Sequence, residues 1–216
     1  LALSSLRAQR SNDDRQGEVG RSMIEMLGVL AIIAVLSVGG IAGYSKAMEK
    51  WKTNKAIEQY SYLIYGMLEH LDDLKKSSDD ELGEVAKALN LIPDSWQSTG
   101  HLSWFADDLG NTIRFYGDDR FHIEIIFSYS KDRSSQQYLS FCRELFNNVV
   151  VPLADSLDLA YIWRAQVSAQ NEYWYGNKLC GGKRKCLKNI TLPDIEQQCR
   201  SCKENPSLSC GLLLHF

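Results

Sequence analysis

Two sets of residues in this 216-residue chain have the type and spacing to do chemistry. The first is one carboxylate, Glu25, near the start of the apolar run GRSMIEMLGVLAIIAVLSVGGIAGY at residues 20–44. Inside a membrane span an acid costs about 2.5–3.5 kcal/mol at the centre and less near the interface, so it needs a cationic partner. A free α-amino group at Arg21, created by cleavage before it, would stand four residues, about one helical turn, from Glu25. That pair can form within one chain or between neighbours. The second set is six cysteines, Cys142, Cys180, Cys186, Cys199, Cys202 and Cys210, five of them in the last 37 residues.

The cysteine-rich tail has little apolar content of its own. In an oxidising compartment it reads as a disulfide-stapled segment with up to three bridges, whose connectivity the spacing does not choose. The competing reading is zinc on Cys180, Cys186, Cys199 and Cys202. It has only one CxxC and a first spacing too wide for the usual knuckle, and it needs a reducing compartment. Cys142, alone on an apolar helix face, is either a buried thiol or the partner of a tail cysteine, and the bridge is preferred.

No catalytic constellation accompanies them. HExxH, GxSxG and a Walker loop are all missing. The histidines at 70, 101, 122 and 215 have no acid or cysteine at a telling spacing. The expectation is a protein that processing enzymes act on, not an enzyme, with no cofactor and no metal. Net charge is −3 with 24% charged and 44% hydrophobic residues, which excludes a globally basic nucleic-acid binder and bulk disorder. One basic loop, Gly181-Gly182-Lys183-Arg184-Lys185, follows Tyr173-Trp174-Tyr175. It is read as a solvated loop beside an aromatic core edge, with nucleic acid the less favoured partner.

These residues need elements to hold them. Ile24 to Tyr44 is 21 residues, about 31 Å as a helix, which matches a bilayer core of roughly 30 Å. Its apolar residues run all round, so it is not an amphipathic surface helix. Residues 45–76 continue the helical pattern with one apolar stripe, Ile57, Tyr60, Ile64, Met67, Leu71 and Leu74. Ser77-Ser78-Asp79-Asp80 ends that helix and caps another over Glu81–Leu91. Thr112–Tyr116 and Phe121–Tyr129 read as a hairpin about Gly117-Asp118-Asp119-Arg120. Phe121, Ile123, Ile125 and Phe127 share its inward face; His122, Glu124 and Ile126 share the other. Ser134–Leu153 reads as a helix with Tyr138, Phe141, Cys142, Leu145, Phe146 and Val149 on one side, and Leu159–Val167 as a further strand. The predicted class is α+β. A spine helix packs on a small antiparallel sheet, with a disulfide-rich segment from about residue 180.

Gly20-Arg21-Ser22-Met23-Ile24-Glu25-Met26-Leu27, followed by the apolar helix, resembles the class III signal of type IV pilins and type II secretion pseudopilins. The resemblance implies a prepilin peptidase that removes a leader, residues 1–20, by cutting between Gly20 and Arg21. It implies N-methylation of Arg21 and use of Glu25 in assembly. It also implies identical or related pilin subunits as partners, an inner-membrane assembly platform, and membrane lipid around the helix before assembly. The N-terminus is then cytoplasmic and residues 77–216 form a periplasmic or extracellular head. Two departures stand out. Arg21 replaces the usual Phe or other apolar first residue, which bears on methylation, and no proline precedes Pro93 to kink the helix. The match covers 25–30 residues. The rival expectation is an uncleaved bitopic membrane protein with a disulfide-rich, ligand-binding ectodomain.

Overall fold

The computed structural model describes residues 3–117, 120–127, 135–165, 171–202 and 209–216; within these, side chains are described from Met23 onward, apart from Asp80 and Ser135. The chain divides into two compact units, Leu1–Glu49 and Lys50–Phe216. Helix α1 spans Leu3–Leu68. Its residues in the second unit carry the predicted stripe, and Ile57, Tyr60, Ile64 and Met67 are all buried, joined by Leu63. The helix stops earlier than the pattern of residues 45–76 suggests. At His70 the bonding tightens to a contact with the Met67 carbonyl at 3.0 Å. A single turn, α2 (Leu71–Leu74), then carries the end of the stripe, and Leu74 is buried.

Helix α3 (Asp79–Ala88) begins at Ser78 with a capping box. The Ser78 backbone N–H donates to the Glu81 carboxylate at 2.7 Å, so an otherwise orphaned donor of the first turn is satisfied. The strands are β1 (Gln97–Ser98), β2 (Trp104–Ala106), β3 (Thr112–Gly117), β4 (Phe121–Ile126), β5 (Leu159–Arg164), β6 (Trp174–Tyr175) and β7 (Cys210–His215). They form one seven-stranded antiparallel sheet in the order β1-β2-β3-β4-β7-β5-β6. The last strand is thus inserted inside the sheet, between β4 and β5. The chain ends on Phe216, buried, whose N–H donates to the Phe121 carbonyl at 3.0 Å.

The register explains the core. Ile113, Ile125, Leu212 and Ile162 lie side by side across β3, β4, β7 and β5, as do Phe115, Ile123, Leu214 and Ala160. All eight are buried. Helix α4 (Ser135–Leu145) presents Tyr138, Phe141, Cys142 and Leu145 to this layer. It runs into a π-turn at Phe146–Val150. The wider turn advances the helical phase, which lets the consecutive Val149 and Val150 both be buried. Tyr60 of α1 meets Phe141 at 5.8 Å between ring centroids, and Phe127 meets Phe141 at 6.2 Å. Helix α5 (Leu192–Ser201) starts at Thr191 with a second capping box, to Asp194.

The hairpin differs from its sequence reading in one respect. Phe121, Ile123, Ile125 and Phe127 are inward, but His122 and Glu124 on the other face are buried too. The reason is sheet width. Glu124 stands opposite both Arg114 of β3 and Leu213 of β7, and His122 opposite both Tyr116 and His215, so neighbours on each side cover them. Residues 118–119, 128–129, 134 and 166–167 of the predicted turn, strands and helix lie outside the described residues.

Candidate functional site

The first candidate is the N-terminal half of α1. Gly20 and Arg21 lie on the helical backbone, and their side chains lie outside the described ones. Glu25 follows Arg21 by four residues on that helix, a rise of about 6 Å. It is exposed. So is every large apolar residue from Met23 to Tyr44, with relative exposures between 53 and 73% on all sides of the helix. A Cβ added at Gly28, Gly39, Gly40 or Gly43 would meet nothing within 4 Å. Among the described residues this is the one helix long and apolar enough to cross a membrane. An uncovered apolar surface of that length marks a segment made for lipid or for other protein. It is compatible with a membrane anchor.

The second candidate is the cysteine set. The structure pairs all six as Cys142–Cys199, Cys180–Cys186 and Cys202–Cys210. The four thiolates of the zinc alternative are therefore consumed, and among the described residues no group of three or more His, Cys, Asp or Glu gathers to hold a metal. Cys142 bridges to the tail, tying α4 to α5, and the Tyr138 hydroxyl donates to the Cys199 carbonyl at 2.9 Å beside it. Cys202–Cys210 joins the end of α5 to β7. Cys180–Cys186 closes the basic loop. These pairings depend on where α4, α5 and β7 meet in space, which spacing along the chain does not encode.

Sequence reasoning missed three polar groups in the second unit. Asp107 is buried and accepts from the Tyr60 hydroxyl at 2.9 Å, from Asn111 Nδ2 and the Asn111 N–H, each at 2.7 Å, and from the Leu109 N–H at 2.8 Å. It locks the 107–111 turn onto α1. Burial pushes its carboxyl above the ordinary range, with bonds from Asn111, Tyr60 and Leu109 pulling the other way. Glu124, its side chain 4% exposed, pairs with Arg114 Nε. The Arg114 guanidinium also lies over the rings of Trp104 and Tyr116, at 4.9 and 5.3 Å from their centroids. His122 and His215 face each other across β4 and β7 with ring centroids 4.3 Å apart, edge to face. The signal for Arg114 and Glu124 was present as opposite charges at hairpin register. The other two needed the fold.

On α1, Trp51, Tyr62 and Tyr65 remain exposed. Tyr62, Tyr65, Gly66, His70 and Leu91 line an open groove of about 840 Å³ along the helix. Known family models, curated proteins and solved structures contain no match to this chain.

Proposed function

We propose that the chain is a filament subunit of the type IV pilin or type II secretion pseudopilin kind. In this reading a prepilin peptidase removes residues 1–20 and leaves Arg21 as a methylated N-terminus. Before assembly the apolar helix sits in the inner membrane, N-terminus cytoplasmic and head outside. An assembly platform then extracts it into a filament built of identical or related subunits. The observation that carries this reading is a conjunction: the Gly20-x₄-Glu25 spacing opens a helix whose apolar residues are uncovered on every side from Met23 to Tyr44. Packed helix against helix, that surface would be buried by neighbouring copies. Glu25 would meet the Arg21 ammonium of the next copy, and a charge pair there sets register because breaking it in a low-dielectric core is costly. In the second unit, Trp51, Tyr62 and Tyr65 are also exposed. Three disulfides suit a head folded in an oxidising compartment.

The test is intact mass and N-terminal sequencing of the mature protein from cells with and without a prepilin peptidase. A chain beginning at Arg21 only when the peptidase is present, with an added methyl group, is the expected result. Retention of residues 1–20 in both cells would replace this reading with the uncleaved bitopic protein.

A further inference from the structure

The groove of about 840 Å³ in the second unit has a built floor. Leu91, 6% exposed, lies against Gly66 of α1, where an added Cβ would overlap the Leu91 side chain. Glycine lets the segment after α3 come this close to the helix. Tyr62 and Tyr65 stand on the rim, 59 and 45% exposed. The two stretches that wall the groove, residues 56–74 and 88–97, hold five acids, Glu58, Glu69, Asp72, Asp73 and Asp94, and no Lys or Arg. All five are exposed, and none forms an ion pair among the described residues. An apolar floor with an acidic surround suits a cationic, partly apolar occupant.

The same chain carries such a surface. Residues 173–193 hold five cations, Lys178, Lys183, Arg184, Lys185 and Lys188, and no Asp or Glu. The Cys180–Cys186 bridge closes their loop with the two Cα atoms 5.4 Å apart, and Arg184 donates across it to the Leu179 carbonyl at 2.8 Å. Lys178, Lys183 and Lys188 are exposed and make no ion pair among the described residues. Leu179, also exposed, adds an apolar contact beside them. Within one copy the two surfaces are held apart. The groove wall Leu89–Pro93 leads into β1 at one edge of the sheet, and the loop follows β6 at the other. Six strand spacings separate those edges, roughly 29 Å. The surfaces are nevertheless level along the strands. Gly117, at the end of β3, lies beside the Leu74 and Ser77 carbonyls. The adjacent row, Tyr116, His122, His215, Leu159 and Tyr175, crosses to β6, where the Tyr175 N–H donates to the Lys185 carbonyl at 2.8 Å. Asp72 and Asp73 of α2 therefore stand at the same end of the sheet as the loop. Two heads side by side in one orientation present loop to groove.

We propose that the disulfide-closed loop of one copy docks in the acidic groove of a second copy, head beside head. Lys178, Lys183 and Lys188 face the groove's acids, and Leu179 packs on Tyr62 and Tyr65. A loop already rigid loses little freedom on binding. The contact is heterologous, so each joined copy still offers one loop and one groove, and the contacts close into a ring or run on as a filament. Nucleic acid and anionic lipid could meet the loop, but the groove repels both; a second copy satisfies the two surfaces at once. The inference rests on the reading that copies assemble and names the head surfaces they use. It requires neither cleavage nor methylation.

The experiment is photo-crosslinking of the full-length oxidised protein in phosphatidylcholine vesicles, with benzoylphenylalanine in place of Tyr62 in one sample and of Leu30 in another. Isotope-labelled and unlabelled copies are mixed, so that mass spectrometry reads joints between copies. The expected result is a joint from position 62 to residues 178–192 of another copy, weakened by high salt. Lys178→Glu, Lys183→Glu and Lys188→Glu combined should lower its yield about tenfold, as the loss of several exposed charge pairs predicts. Glu69→Lys, Asp72→Lys and Asp73→Lys combined should do the same. Mixing the two variants, with the probe on the groove variant, should restore the yield, because a reversed loop then meets a reversed groove. A mixture that restores nothing, or variants that crosslink as well as the unaltered protein, would overturn the proposal. Joints between copies from position 30, with none from position 62 to the loop, would overturn it and leave assembly through the apolar helix standing. No joint from either position would overturn assembly and the proposal together. Position 62 joined to a different protein in cells, with no joint in the purified sample, would assign the groove to that protein instead.

Discussion

Helix α1 treats apolar residues in two opposite ways. From Met23 to Tyr44 they stand outward on every side; further along, Ile57, Tyr60, Ile64 and Met67 form one stripe that is buried in the head, while Tyr62 and Tyr65 off the stripe stay exposed. Hydrophobic content alone does not explain the difference. Periodicity does: a stripe with alternating spacings of three and four aims at a core in the same chain, whereas apolar residues all round leave no polar face for water. The first half is left uncovered among the described residues, which is compatible with a membrane anchor. The second half contributes to a fold that is complete by itself.

Truncation is the strongest way to break this contrast. Phe141→Ala, in the layer under Tyr60, should cost the head about 4 kcal/mol because a large buried ring leaves a cavity. Val35→Ala or Leu30→Ala should leave head unfolding unchanged. Guanidinium unfolding of the detergent-held protein, followed by near-ultraviolet circular dichroism, checks both. Equal losses at the two sites would mean that the apolar half belongs to the head's cooperative unit.

Among the bridges, replacing Cys142 and Cys199 together by alanine should cost about 4 kcal/mol, and the same change at Cys180 and Cys186 about 2, since the longer closed segment restrains the unfolded chain more. The same unfolding measurement ranks them. The second change should also leave the core intact while loosening the basic loop, seen as faster amide exchange at residues 181–185.

Arg114→Ala should cost about 3 kcal/mol by leaving the buried Glu124 carboxylate without its ion-pair partner. The double change Arg114→Met with Glu124→Leu should recover most of that, because apolar replacement removes the desolvation penalty along with the pair. A recovery of none of it in thermal melts would show that the pair contributes more than the neutralisation of its own burial.

The smallest effect is a pH dependence. Asp107 is held above its ordinary range by burial. A raised folded-state value means that its contribution is fully present below the unfolded-state value and is lost as pH rises through the folded-state value. Head stability should therefore carry a component that declines as pH rises from the usual aspartate range toward neutrality. Glu81 and Asp194, held low first by bonds to Ser78 and Thr191 respectively, act the other way: their contribution is lost as pH falls through their folded-state values. The Asp107 component is thus read as the difference between the protein and Asp107→Asn in urea midpoints across pH. An unchanged difference would show that the four donors hold the carboxylate charged after all. On the assembly side, Glu25→Ala should leave cleavage after Gly20 intact while filaments disappear from electron micrographs; normal filaments from that variant would sink the register role.

Residue order along the chain was enough to establish the apolar half of α1, the stripe Ile57, Tyr60, Ile64, Met67 and Leu74, the pairing of β3 with β4 and the inward face of α4. Each rests on local periodicity or a turn signal, which a few neighbouring residues determine. Tertiary structure alone decided the rest. The insertion of β7 between β4 and β5 gave His122 and Glu124 neighbours on both sides and buried a face that alternation had left for solvent. The meeting of α4 with α5 chose Cys199 for Cys142 among several possible partners. The approach of the 107–111 turn to Tyr60 made Asp107 a buried clamp. All three join segments far apart along the chain, so no local pattern carries them; they follow from which surfaces the apolar core brings together.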